Sequence, residues 1–145
     1  MKTIVLFFTL LIITGSTMAQ EFDSWKIYHN RKEVSSFSDK EQTDDERKVV
    51  LLKRFLEGPG FVIFEIKPAS AQADWLRTIA FYDKDDKLIR EFKNTLLLRL
   101  HNSEVDEIME NKTAVKVYSW AIPKDPEKAA TVRVRRILLC TLYTR

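Results

Sequence analysis

The sequence predicts an all-β chain: a two-layer antiparallel β-sandwich, immunoglobulin-like or jelly-roll-like, with one short helix. Three observations predict it. The apolar segments are short and rich in β-branched and aromatic residues, which pack well on a pleated, half-buried surface. Short polar connections separate them, and a single stretch, residues 103–111, carries an apolar stripe at helical spacing. A small closed β-barrel is the alternative, because strands read from sequence do not say whether the outer edges meet.

Taken in order, residues 25–29 read as the first strand, and Asn30, Arg31 and Lys32 turn the chain toward a second at 34–37. Residues 38–47 are rich in Asp and Glu and read as a solvated loop, and 48–55 as the next strand. Glu57-Gly58-Pro59-Gly60 gathers two of the three glycines into a turn signal. The strand Phe61–Lys67 follows, with Val62, Phe64 and Ile66 on its core face and Phe61, Ile63 and Glu65 opposite. Residues 75–82 and 88–92 flank the polar turn Asp83-Lys84-Asp85-Asp86-Lys87 and predict a hairpin. Residues 95–101 read as another strand.

Ser103 is an N-cap residue type, and Glu104, Asp106 and Glu107 suit the positive end of a helix running to about Asn111. Val105, Ile108 and Met109 give that helix one apolar stripe, which should pack on the sheet or plug an end. The closing unit is a strand at Ala114–Ile122, a proline-bearing connection Pro123-Lys124-Asp125-Pro126, and a strand at 131–143. The two prolines forbid one continuous strand and allow a wide hairpin. Residues 137–142 are apolar on both faces, as a covered central strand would be.

Residues 1–19 have a different character. Lys2 gives a positive start, residues 4–13 form an apolar run, and Thr17 and Ala19 are small residues at a cleavage-site spacing, which together predict a secretory signal peptide ahead of one domain at 20–145. The run falls short of the roughly 20 residues that a membrane-crossing helix needs, and no later apolar stretch reaches that length. An integral membrane protein is therefore not expected. Nor is a lipoprotein anchor, since no Cys stands beside the site. Cleavage after Ala19 would expose Gln20, a residue that can cyclise to a pyroglutamyl group. The segment resembles the signals of Gram-negative bacteria, especially of the Bacteroidetes type, which implies a periplasmic or extracellular location.

The chain has 145 residues, with 24 Lys and Arg against 21 Asp and Glu. Removing residues 1–19 takes away Lys2 and no acid, so the domain is close to neutral. It lacks the concentrated basic field of a nucleic-acid binder, and no nucleic-acid partner is expected. Cys140 is the only cysteine, which forbids an intrachain disulfide, and its apolar flanks predict a buried, inert thiol.

The chemistry-bearing motifs are missing. His29 and His101 have no second ligand at helical or hairpin spacing, so no metal is predicted. Asp83, Asp85 and Asp86 suggest calcium, yet the twelve-residue loop pattern puts Leu88 where glycine is needed and Asn94 where the bidentate glutamate belongs. There is no nucleophile elbow, no Ser-x-x-Lys and no phosphate-binding glycine loop, so neither catalytic residues nor a cofactor are assigned. Asn111-Lys112-Thr113 matches a glycosylation acceptor, which carries little weight for a bacterial chain.

The binding candidates are Tyr118, Trp120, Arg133 and Arg135. Each pair shares one face of its strand, so one register sets aromatics beside guanidinium groups, a surface for sugar rings or acidic groups. The other register turns Tyr118, Trp120 and Ile122 into the core with Val132 and Val134. Matching apolar with apolar favours the core arrangement, and the broken alternation near Arg135 and Arg136 predicts a β-bulge there. Trp25 and Trp75 each open an apolar strand and read as core caps. The expected function is an exported, non-enzymatic binding module for a cell-envelope protein or glycan. The alternative is a glycan-binding aromatic and arginine face. A third reading, a carbohydrate-active enzyme, requires two carboxylates about 5 to 10 Å apart in one cleft.

Overall fold

Alternating apolar and polar side chains set the architecture. In the computed structural model, which describes residues 19–40 and 47–145, the elements run β1 (Ser24–His29), β2 (Lys32–Ser38), β3 (Lys48–Leu51), α1 (Lys53–Leu56), β4 (Phe61–Lys67), β5 (Leu76–Tyr82), β6 (Leu88–Lys93), β7 (Leu97–His101), α2 (Asn102–Met109), β8 (Ala114–Ile122), α3 (Pro126–Thr131) and β9 (Ile137–Thr144). The proposed signal segment, apart from Ala19, lies outside the described residues, as does the 41–46 part of the acidic loop.

The strands form two sheets, β2-β1-β4-β7 and β3-β9-β8-β5-β6. Each sheet ends in two edge strands, so the layers make an open β-sandwich and not a closed barrel. All pairings are antiparallel except that of β3 with β9. Within the four-stranded sheet the inward parity is Trp25 and Ile27 on β1, Val62, Phe64 and Ile66 on β4, and Leu98 and Leu100 on β7. The facing layer supplies Ile79 and Phe81 from β5, Val115 and Val117 from β8, and Leu139, Cys140 and Leu142 from β9. Phe64 meets Phe81 edge-on, ring centres 5.7 Å apart, at the middle of this core. Burying a side chain of that size contributes roughly 1.5–3 kcal/mol.

The helix α2 closes one end. Its stripe Val105, Ile108 and Met109 is buried, and the Glu104 carboxylate accepts from the His101 N–H at 2.8 Å. Asn102 ties this end together: its Nδ2 donates to the carbonyls of Phe55 and Gly58 and to Asn30 Oδ1. At the far side of the β5–β6 hairpin, Asp83 Oδ1 accepts from the Asp85 and Lys87 N–H groups, both at 2.9 Å. Those N–H groups, Lys87 first, hold the Asp83 carboxyl below its ordinary pKa. The turn thus engages one of the oxygens that a calcium ion would use.

Two segments differ from the sequence reading. Lys48–Leu51 is a strand, but the chain then coils into α1 instead of extending to Phe55. The predicted 131–143 strand begins only at Ile137, because Pro126 takes the first position of α3 and Asp125 caps it by accepting from the Glu127 N–H. Residues 132–136 follow without strand pairing. The bulge also moves, from the expected 135–136 to the Leu138–Cys140 stretch opposite Val117 and Tyr118.

Candidate functional site

The end of the sandwich opposite α2 carries the cavity of interest, and strand parity explains what lies in it. Asp23 has the same parity as Trp25 and Ile27, and Arg77 the same as Ile79 and Phe81, so two charged side chains point toward an apolar interior. They meet: Arg77 Nη1 lies 2.8 Å from Asp23 Oδ2, with the side chains 2% and 5% exposed. Ala121, across from Arg77 on β8, is small enough to leave room for the guanidinium. Asp23 Oδ1 also accepts the Ala69 N–H at 2.7 Å. Removing one partner from such a buried pair costs about 3–5 kcal/mol, because the other charge is left uncompensated.

Arg77 is incompletely satisfied. Its Nη2 is buried and has no hydrogen-bond partner among the described residues. A buried donor left this way costs about 1–3 kcal/mol. Around it a cavity of about 350 Å³ takes in Phe22, Trp75, Val132, Arg133 and Arg135. That volume falls in the small-molecule range. Arg135 forms an ion pair with Asp39, while Arg133 has no ion pair or hydrogen bond among the described residues. Asp23 and Asp39 therefore share one cavity, but each is already engaged by a guanidinium.

The four sequence candidates are divided between two places. Arg133 and Arg135 lie in the unpaired 132–136 segment and line this cavity beside Trp75, which is half-buried and not a core cap. Trp25, in contrast, is 2% exposed and sits in the core as expected. Tyr118 and Trp120 lie on the outer face of the five-stranded sheet, half-buried. The favoured core arrangement is thus corrected: Val115, Val117, Ser119 and Ala121 face inward. Ser119 tolerates burial because its hydroxyl donates to the Thr78 carbonyl at 2.9 Å. The expected partners Val132 and Val134 are not in a strand at all.

An aromatic and arginine surface does exist on that outer face, built by a different arginine. Tyr82 and Tyr118 pack edge-on with centres 5.6 Å apart, and the Arg136 guanidinium carbon lies 4.5 Å from the Tyr118 ring centre and 5.1 Å from that of Tyr82. Sequence reasoning passed over Arg136 and Arg77. The signal for Arg77 was present: a charged residue at inward parity within an apolar strand.

Among the described residues no group of three or more His, Cys, Asp and Glu side chains is placed to hold a metal ion, and no helix is long and apolar enough to cross a membrane. Cys140 is fully buried, and burial pushes its thiol pKa up. His29 is also buried, which lowers its pKa, and the neighbouring Asn102 side chain acts in the opposite direction. No protein-family model, curated protein or solved structure matches the chain.

Proposed function

We propose that this chain is an exported, non-enzymatic binding module that takes a cell-envelope component, protein or glycan, in the cavity opposite α2. The observation that supports it best is the unpartnered Arg77 Nη2, buried in a cavity that also contains Trp75 and the unpaired Arg133. A ligand that accepts from these donors would recover stability the fold alone forgoes. The test is retention of an envelope fraction on immobilised chain, compared with Trp75→Ala and Arg133→Glu. Arg99→Glu serves as a control on the other sheet, where Arg99 stacks on Phe61. Retention by the wild type and the control but not by the cavity variants is expected, and equal retention by all four rejects the reading.

A second reading is supported by the outer face. Tyr118 and Trp120 keep part of their surface exposed, and Arg136 stacks on Tyr82 and Tyr118, a combination suited to sugar rings. Oligosaccharides that quench tryptophan fluorescence in the wild type but not in Trp120→Ala would support glycan binding there. Identical quenching in both proteins would remove it.

A further inference from the structure

We propose that the cavity binds a monocarboxylate with an apolar body, the carboxylate received by Arg77 and Arg133 and the body lying on Trp75 and Phe22. The inference rests on the cavity being the binding site and adds the chemistry of its ligand.

Charge decides the anion. Three arginines line the cavity, but Asp23 already neutralises Arg77 and Asp39 neutralises Arg135. Glu21, the third acid on the wall, balances the third arginine in formal charge but makes no ion pair with Arg133 among the described residues, which leaves that guanidinium free to take one ligand carboxylate. Glu21 also repels a second negative charge. A dianion such as phosphate would therefore be under-neutralised.

Hydrogen bonding decides the group. The free donor is an N–H of a guanidinium whose other nitrogen already holds a carboxylate at 2.8 Å. A planar guanidinium offers a second edge of the same geometry, and a ligand carboxylate is the group that fits it. Beside the polar Glu21, Asp39 and Gln72, the wall has an aromatic and aliphatic part made by Phe22, Trp75, Ala121, Val132 and Ile137, and that part receives the body.

The experiment follows the Trp75 indole N–H by two-dimensional NMR while the whole chain is titrated with five probes. They are N-acetylphenylalanine, its neutral amide, acetate, glucuronate and inorganic phosphate. N-acetylphenylalanine is expected to bind about tenfold more tightly than its amide, the factor for one charge-assisted contact of roughly 1.4 kcal/mol. Arg133→Gln should lose that advantage while binding the amide as the wild type does. Arg133 is exposed, so this variant leaves the core intact. Equal binding of acid and amide, tighter binding of glucuronate or phosphate, or silence with all five probes overturns the proposal. Envelope retention that still depends on Trp75 and Arg133 in a chain silent to the probes rejects only the carboxylate. Loss of both rejects the site as well.

Discussion

The indole N–H of Trp25 donates to the main-chain carbonyl of Leu139 at 2.8 Å, joining the first strand of one sheet to the bulge in the last strand of the other. The bulge turns Leu139 and Cys140 toward the core together, and the indole supplies a donor to one carbonyl that the disrupted ladder presents. Arg47 lies over the outer side of the same indole, its guanidinium carbon 4.8 Å from the ring centre. Trp25→Phe removes the indole N–H together with the five-membered part of the ring, leaving that buried carbonyl without this donor and a small cavity beside it. A loss of about 1–3 kcal/mol in urea unfolding is expected, and an unchanged midpoint would show that the bond contributes nothing net.

Gly60 is the residue on which the α2 end is built. Its φ is +143°, and a Cβ there would collide with the Asn30 side chain and approach Asn102 Nδ2 to 2.9 Å. Gly60→Ala therefore combines backbone strain with a clash against the network that anchors α2. A loss exceeding about 3 kcal/mol is expected by thermal or chemical unfolding, whereas Gly58→Ala, whose Cβ would meet nothing closer than 3.9 Å, should cost far less.

Acid should destabilise the fold through His29. Burial lowers the ring's pKa, so the native state keeps it neutral where the unfolded chain has begun to take up a proton. The unfolded state then binds more protons, and stability falls as pH drops from about 6.5 toward the native pKa; above about 6.5 it is fully present. Asn102 and the edge-on Phe55, which pack against the ring, carry no charge to compensate a proton, and Lys32, its cross-strand partner, carries one of the wrong sign. Urea midpoints at pH 7.5 and 5.5 should differ less in His29→Gln than in the wild type.

Cys140 makes the opposite prediction on the alkaline side. Its native thiol stays protonated above the pH, about 8.5, at which an unfolded cysteine ionises, so the unfolded state binds fewer protons and stability declines as pH rises further. Cys140→Ala should lack this contribution to the decline. An aromatic disulfide reagent should leave the folded chain unlabelled and react promptly in denaturant; fast labelling of the native protein would contradict its burial.

The proposed export can be tested at Gln20. Its Nε2 donates to the carbonyls of Phe22 and Lys67, at 2.8 and 3.0 Å, and to the Ser24 hydroxyl, while its own carbonyl accepts the Ser70 N–H. If cleavage after Ala19 frees its amine, cyclisation would join that nitrogen to Cδ and expel Nε2 as ammonia, removing all three donations. Intact mass of exported protein should show residues 20–145 with Gln20 uncyclised while folded, and loss of one ammonia once the chain is denatured. Cyclisation at equal rates in both states would show that these contacts do not protect it.

Much of this architecture is legible because its cause is local. Phe61–Lys67 follows a turn signal and alternates cleanly, so both its limits and its core face can be read directly. The helix stripe Val105, Ile108 and Met109 is equally local. Tyr118 and Trp120 misled because apolar matching presumes that the larger apolar set goes inside. Here the Thr78 carbonyl satisfies Ser119, and the smaller set takes the core. The cavity was hidden for another reason. Asp23, Asp39, Arg77 and Arg133 come from four separated segments, and only the pairing of β5 with β8 and the uncoiled stretch after α3 bring them to one end. The inward parity of Asp23 and Arg77 could be seen in sequence; the meeting of all four could not.

The place of β9 governs how this chain can acquire its shape. That strand lies between β3 and β8, and its partner β3 is about ninety residues away along the chain. β3 has no other neighbour in its sheet, so it must wait as loose polymer until almost everything after it has been made. Closing so long a loop before the contacts reward it slows folding toward the millisecond-to-second range of non-local β topologies. Circular permutation that joins the ends of the 20–145 domain and opens the chain between β8 and β9 would set β9 ahead of β1 and cut its separation from β3 to about thirty residues, speeding that closure without altering a core contact.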